Sequence, residues 1–153
     1  MKKGSSSILL LDVNVLVAMA WPNHQFHLAA IQALETNPDR WATCALTQLG
    51  FISLSSNLAA IPTAKSPAEA VSLLEAIVAD PLHVYLESLP SPVGKDARGA
   101  LEKILGYKQV TDAYLLNLAR SNDATFVTFD TRLKHMAGAE TRLKILGQRG
   151  YLP

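Results

Sequence analysis

The sequence predicts an α/β fold built on a mainly parallel sheet. Short, continuous apolar runs are typical of strands covered on both faces, and here they alternate with segments of helical periodicity. The clearest runs are residues 8–11 and 124–129. The 153 residues are 49% apolar and 18% charged, which is enough to bury a sizeable core, so we expect one domain over residues 1–153.

The first third of the chain alternates between strands and helices. The apolar stripe Leu28, Ile31 and Leu34 indicates the second helix, and the Asn37-Pro38-Asp39 segment ends it. The predicted elements are a strand at 8–11, helices at 13–20 and 24–35, a strand at 41–44 and a helix at 47–55.

The rest of the chain opens with a strong helix start. Ser66 is an N-cap residue, Pro67 suits the first helical position, and Glu69 completes a capping box. The predicted elements are a helix at 67–79, a strand at 82–86, a helix at 97–105, a loop at 106–110, a helix at 111–120, a strand at 124–129, a short helix after Asp130 and an edge strand at 143–146.

Composition excludes several classes of protein. Cys44 is the one cysteine, so no intramolecular disulfide can form, and its apolar surroundings predict a buried thiol. The run at 8–11 is too short for a signal-peptide core or a membrane span, so we expect a cytoplasmic protein without a membrane partner. Four scattered histidines lack the spacing of a zinc site.

The charge is unevenly distributed. The net charge is +1, but residues 1–90 hold 4 basic and 7 acidic side chains, whereas residues 91–153 hold 10 basic and 6 acidic ones. The halves therefore carry −3 and +4. A basic half suits a polyanion such as RNA, although solvated surface charge would look the same.

Two aspartates follow the two clearest strands. Asp12 comes directly after the first run, and Asp130 directly after the run at 124–129. Ligands of open α/β sheets bind at the carboxyl ends of strands, where the strand order reverses, so these acids could face one crevice. Each could equally be a helix N-cap.

Two further polar residues lie on apolar helix faces. Asp112 shares a face with Leu115, Leu116 and Ala119, which places an acid at the rim of the core. It could also serve the helix dipole at the first turn. Gln48 likewise shares a face with Phe51, Ile52 and Ser55, so its amide needs a partner, and nearby backbone could supply one.

Carboxylates gathered at one sheet edge repel one another, so either their pKa values rise or a divalent cation occupies the gap. Oxygen ligands select hard cations, so we expect Mg²⁺ or Mn²⁺ on Asp12, Asp112 and Asp130. Such a site suits phosphoryl chemistry, in which the metal activates water. The chain lacks the Gly-x-Ser-x-Gly, P-loop and Gly-x-Gly-x-x-Gly motifs, which disfavours hydrolase-triad, NTPase and dinucleotide-binding functions.

Four segments resemble one family in order along the chain. They are Leu9-Leu10-Leu11-Asp12-Val13-Asn14-Val15-Leu16, Trp41 to Phe51, Val110-Thr111-Asp112-Ala113-Tyr114-Leu115 and Val127-Thr128-Phe129-Asp130. Together they resemble the PIN-domain ribonucleases, and among them the VapC-type toxins of toxin–antitoxin pairs.

The resemblance implies a three-layer α/β/α PIN-like sandwich, endonuclease action on RNA with Mg²⁺ or Mn²⁺, a homodimer and a cognate antitoxin protein. It also implies that Asp12, Asp112 and Asp130 are the acidic metal ligands and catalytic residues. Asn14, Gln48 and Thr128 would then be polar groups beside them.

One residue departs from the family pattern. PIN domains commonly carry glutamate where this chain has Gln48, and an amide brings no charge. We therefore expect weaker metal binding. The alternative is a catalytically weak or inactive PIN-fold module that acts through protein or RNA binding. A phosphatase would need an acid where Asn14 stands, and the paired acids and lysine of a receiver domain are missing.

RNA contacts are predicted just before Asp112. The candidates are Lys95, Arg98, Lys103 and Lys108, with Tyr107 as a stacking platform for a base. A charged loop and helix face exposed to solvent would have the same composition.

Overall fold

The computed structural model describes residues 8–36, 40–136 and 142–147. The Asn37-Pro38-Asp39 segment, which was predicted to end the second helix, lies outside these ranges. The strands are β1 (Ile8–Leu11), β2 (Trp41–Cys44), β3 (His83–Leu86), β4 (Ala124–Thr128) and β5 (Leu143–Ile145). The α-helices are α1 (Val13–Ala20), α2 (His27–Glu35), α3 (Ala45–Ser55), α4 (Pro67–Val78), α5 (Lys95–Leu101) and α6 (Val110–Ser121), with 3₁₀ helices at Tyr107–Gln109 and Thr131–His135.

The five strands form one parallel sheet in the order β3-β2-β1-β4-β5. The chain runs from the central β1 outward to β2 and β3, and then returns to the other side of β1 with β4 and β5. The strand order therefore reverses between β1 and β4, which is where α/β sheets place ligands. This arrangement confirms the predicted three-layer α/β fold with its parallel sheet.

Both faces of β1 are covered, as its unbroken apolar run predicted. Leu9 and Leu11 join the core formed with α1, α2, α3 and α4, whereas Leu10 joins the core on the opposite face with α6. The acid that follows β1 therefore stands at the edge of two packed layers.

The capping box at α4 forms as expected. The Glu69 backbone N–H donates to Ser66 Oγ at 3.2 Å, and the Ser66 N–H donates to Glu69 Oε2 at 2.8 Å. The Cys44 thiol is buried and free, as its apolar surroundings predicted. A close approach between α1 and α3 depends on Gly50, since a Cβ there would collide with the Val13 side chain.

Two helices have an end that differs from the sequence prediction by three residues or more. Helix α2 begins at His27 rather than at residue 24, because the ring of His24 accepts a hydrogen bond from the Phe26 N–H and holds a turn there. Its buried residues are Ala30 and Ala33, whereas Leu28 is 67% exposed, so the predicted stripe was wrong for Leu28.

Helix α5 ends at Leu101, four residues before the predicted end. Leu105 is fully exposed, so a longer helix would bury nothing there. The segment instead turns and becomes the wall of a cleft.

Candidate active site

Asp12 is the most deeply placed of the three acids. It caps α1 directly after β1 and is only 8% exposed. Its Oδ1 accepts from the Val13 N–H at 2.7 Å, and its Oδ2 accepts from the Thr128 hydroxyl at 2.7 Å. Burial raises the pKa of Asp12, and these two hydrogen bonds offset only part of that rise. The N-cap role and the site role are thus compatible in one residue.

Thr128, the last residue of β4, links Asp12 to its neighbours. Besides donating to Asp12, its fully buried hydroxyl oxygen accepts from Asn14 Nδ2 and from the Asp130 N–H, each at 3.1 Å. Asn14 Oδ1 accepts in turn from the Phe129 N–H at 3.3 Å. Thr128 therefore contacts both Asp12 and Asp130 directly, whereas Asn14 is linked to them through Thr128.

Asp130 is held by an arginine that the sequence analysis did not consider. Its Oδ1 accepts from the backbone N–H of Arg132 at 3.0 Å and from Nε at 2.9 Å, and its Oδ2 accepts from Nη2 at 2.7 Å. The guanidinium lowers the pKa of Asp130. A basic residue two positions after a capping aspartate was the available signal in the sequence.

Asp112 completes the group from the first turn of α6. Its side chain is partly buried, and burial is the largest cause that raises its pKa to about 6. The negative charges of Asp12 and Asp130 raise the pKa further, and the charge of Arg132 lowers it. The three predicted acids are therefore close enough for their charges to oppose one another.

The hydrogen-bond partner of Gln48 lies away from the three acids. Its Nε2 donates to Thr43 Oγ1 at 2.9 Å, and the same hydroxyl lies 2.8 Å from His83 Nε2. These partners belong to β2 and β3. No hydrogen bond joins Gln48 to the three acids within the described residues.

A cleft of about 820 Å³ opens beside the acids, between the 102–109 segment on one side and α6 with the 131–136 segment on the other. Asp112 and Asp130 line it together with several basic side chains and one exposed aromatic ring. These are Lys103, Lys108, Arg120, Arg132, His135 and Tyr107.

The predicted RNA contacts are only partly brought together. Lys103, Tyr107 and Lys108 line the cleft, whereas Lys95 and Arg98 do not. Arg98 instead forms an ion pair with Glu102 at 2.6 Å. Arg120, Arg132 and His135 reach the cleft from elements distant in sequence, so residue spacing gave no signal for them.

The donor set suits a hard divalent cation. Three carboxylates whose charges oppose one another at the sheet edge are oxygen ligands of the kind that Mg²⁺ prefers. Across residues 8–36, 40–136 and 142–147, no three Asp, Glu, His or Cys side chains stand close enough to enclose one ion. The two observations agree, because Mg²⁺ usually takes one or two carboxylates and keeps several waters.

The sequence comparisons place the chain in a class. A family model described as PIN domain matches residues 9–139. The chain therefore belongs to the PIN domain family, as its four motifs suggested.

Among the characterised relatives, the chain is similar to the VapC ribonucleases. It is 43% identical to Ribonuclease VapC38 of Mycobacterium tuberculosis over 122 residues, which cover 79% of this chain and 84% of that protein. It is 35% identical to Ribonuclease VapC39 of the same species over 132 residues, which cover 85% and 94%.

Solved structures share the fold at lower identity. VapC20 of Mycobacterium tuberculosis, described as a sarcin–ricin loop cleaving toxin, superposes with a TM-score of 0.63 at 16% identity over 88% of this chain and 98% of its own. A VapBC2 complex from Rickettsia felis, bound to a promoter DNA fragment, gives 0.62 at 17% identity over 92% and 99%. Among the described residues, no helix has the length and apolar character needed to cross a membrane.

Proposed function

We propose that this protein is a divalent-metal-dependent endoribonuclease and the toxin of a toxin–antitoxin pair. The observation that carries the proposal is the group of opposed carboxylates Asp12, Asp112 and Asp130 beside a cleft with basic walls. The relatives named as ribonucleases support the choice of RNA as the substrate.

The acids and the cleft would have different roles, metal binding and RNA binding. One or two of Asp12, Asp112 and Asp130 would bind the cation directly, and the remaining acid would act through its bound waters. A bound Mg²⁺ would polarise both an attacking water and the scissile phosphate. Asn14 and Thr128 would keep Asp12 and Asp130 in register through the hydrogen bonds described above.

Lys103, Lys108 and Arg120 would bind backbone phosphates along the cleft. Tyr107 is 82% exposed and would stack on a base. These contacts suit an unpaired RNA segment, because stacking on a protein ring requires a base free of its helix.

The cleavage assay tests the catalytic half of the proposal. Purified wild type would be mixed with a pool of structured RNAs in Mg²⁺, in Mn²⁺ and in EDTA, beside Asp112→Asn. We expect cleavage that needs the metal and falls by at least roughly 10² in Asp112→Asn, since a charge held for the transition state is lost.

Asp96→Asn is the matched control, because Asp96 is an exposed carboxylate that lines the same cleft. It should cleave like the wild type. Absence of cleavage by a folded wild type in either metal would contradict the proposed nuclease and favour a binding module of the same fold.

We also infer a homodimer and an antitoxin partner. The VapBC complexes from Rickettsia felis and Salmonella typhimurium, which share this fold, support the partner. Light scattering should give about 33 kDa for the purified chain, twice its 16.5 kDa. A mass of one chain at micromolar concentration would contradict the dimer.

A further inference from the structure

Arg132 occupies both oxygens of one proposed metal ligand. Its Nε and Nη2 reach Asp130 Oδ1 and Oδ2 at 2.9 and 2.7 Å, as a two-pronged ion pair. A carboxylate bound in this way offers its lone pairs to the guanidinium. The same positive charge acts on Asp112, so one arginine offsets the charge of two of the three acids.

The ion pair between Arg132 and Asp130 can break at low cost. The Arg132 side chain is 71% exposed and that of Asp130 is 18% exposed, so solvent screens this ion pair from the arginine side and keeps it weak. A divalent ion at the acids would therefore have little to displace. The 3₁₀ helix after Asp130 does not need the guanidinium, because the backbone N–H of Arg132 already donates to Asp130 Oδ1.

We propose that the guanidinium of Arg132 is the resident counter-cation of the metal-free site, and that it leaves Asp130 for an RNA phosphate when a divalent ion binds. The inference rests on the proposed nuclease function. Arg132 lines the cleft beside the acids, and its planar fork matches a phosphate as well as it matches a carboxylate. Arg132 thus couples metal binding to substrate binding.

Three variants separate this role from a general effect of charge. Arg132→Gln removes the charge and the fork, and Arg132→Lys keeps the charge but loses the fork. Lys134→Gln removes an exposed charge from the same 3₁₀ helix and is the matched control.

Mn²⁺ affinity without RNA is the primary measurement, read from the electron paramagnetic resonance signal of free Mn²⁺. Arg132→Gln should bind Mn²⁺ roughly two- to fivefold more tightly, which corresponds to removing a weak, solvent-screened ion pair. Arg132→Lys should shift in the same direction, and Lys134→Gln should stay near wild type. The proposal would be overturned if Arg132→Lys bound Mn²⁺ with the wild-type affinity. It would also be overturned if Lys134→Gln gained as much Mn²⁺ affinity as Arg132→Gln.

The phosphate step has its own readout. The Mn²⁺ titration is repeated with saturating 5′-AMP, which carries a phosphate but no phosphodiester bond to cleave. AMP should tighten Mn²⁺ binding in wild type and do so less in Arg132→Gln, because coupling between two ligands is reciprocal. The same gain in both proteins would overturn the exchange.

The two proposals fail separately. The role of Arg132 alone would be contradicted if RNA cleavage depends on metal and on Asp112 while the Arg132 variants bind Mn²⁺ with unchanged affinity. A folded wild type that binds no Mn²⁺ would overturn both.

Discussion

Two groups of polar side chains beside the sheet differ in electrostatic character. Beside the ends of β1 and β4, Asp12 and Asp112 have raised pKa values, because burial and neighbouring negative charge disfavour their ionised forms. Thr43 of β2, Gln48 of α3 and His83, the first residue of β3, form a neutral group. Burial lowers the pKa of His83, so its ring is neutral at pH 7 and Nε2 can accept the Thr43 proton.

The difference separates residues that serve stability from residues that serve function. The neutral group satisfies its own hydrogen bonds, because Gln48 donates to Thr43 Oγ1, which also shares a hydrogen bond with His83 Nε2. The acids oppose one another's ionisation, and the guanidinium of Arg132 offsets part of that conflict. Groups with perturbed pKa values are concentrated at functional sites, which supports the proposed role of these acids.

The largest effect is expected when the same substitution is made at two threonines, one in each region. Thr128→Val keeps the shape but removes the hydroxyl that contacts Asp12, Asn14 and the Asp130 N–H. We expect a loss of roughly 10- to 100-fold in RNA cleavage and about 1–3 kcal/mol in the free energy of unfolding.

Thr43→Val makes the same chemical change in the neutral region. It should cost a similar 1 kcal/mol or so in the free energy of unfolding, while cleavage stays within about twofold of wild type. Urea unfolding and initial cleavage rates measure the two effects. Equal losses of cleavage in both variants would mean that the two regions do not differ in the way proposed.

Asp112 gives a smaller effect with a defined pH dependence. Its pKa is raised from 3.8 to about 6, so the folded protein binds this proton more tightly than the unfolded chain does. Its ionisation therefore opposes folding: the cost is absent below about pH 3.8 and complete above about pH 6.

In EDTA, Asp112→Asn should consequently be more stable than wild type at pH 7, by roughly 1–2 kcal/mol after allowance for partial exposure. The advantage should shrink as the pH falls toward 4. Thermal melts across pH 4–7 measure it, with Asp96→Asn as the exposed control. A variant less stable than wild type at pH 7 would contradict the electrostatic conflict.

The smallest effect is expected from Gln48→Glu. This change restores the acid that PIN domains commonly carry, but Thr43 holds position 48 through its hydroxyl. The new carboxylate would accept from that hydroxyl once the His83 ring takes the tautomer in which Nε2–H donates to Thr43 Oγ1, so we expect Mn²⁺ affinity to change by less than about threefold. A tenfold gain would show that position 48 reaches the cation and would support the weaker metal binding expected from Gln48.

Much of the fold was predictable because local signals and burial agreed. The apolar run of β1 and its covered position point to the same strand, and the capping box gives the start of α4. The beginning of α2 was not predictable from periodicity, because the His24 side chain decides it. The end of α5 depends on what lies beside Leu105, which is tertiary information.

The candidate site was predictable to the extent that strand ends reveal it. Asp12 and Asp130 follow buried strands, and the face of α6 that carries Asp112 is buried at Leu115, Leu116 and Ala119. The partners of these acids were harder to foresee. The fork of Arg132 and the anchoring of Gln48 on Thr43 depend on rotamers that only the packed structure determines.

The hydrogen bond between Asp12 and Thr128 joins residues 116 positions apart, and it has a consequence for synthesis. At about 5–20 residues per second, a ribosome needs roughly 6 to 23 s to cover that distance. Until β4 emerges, β1 has no neighbour on that side and Asp12 has no hydroxyl to hold it. A nascent chain thus carries its first acid for many seconds before the site can assemble, and a chain cut short before β4 lacks both Thr128 and Asp130.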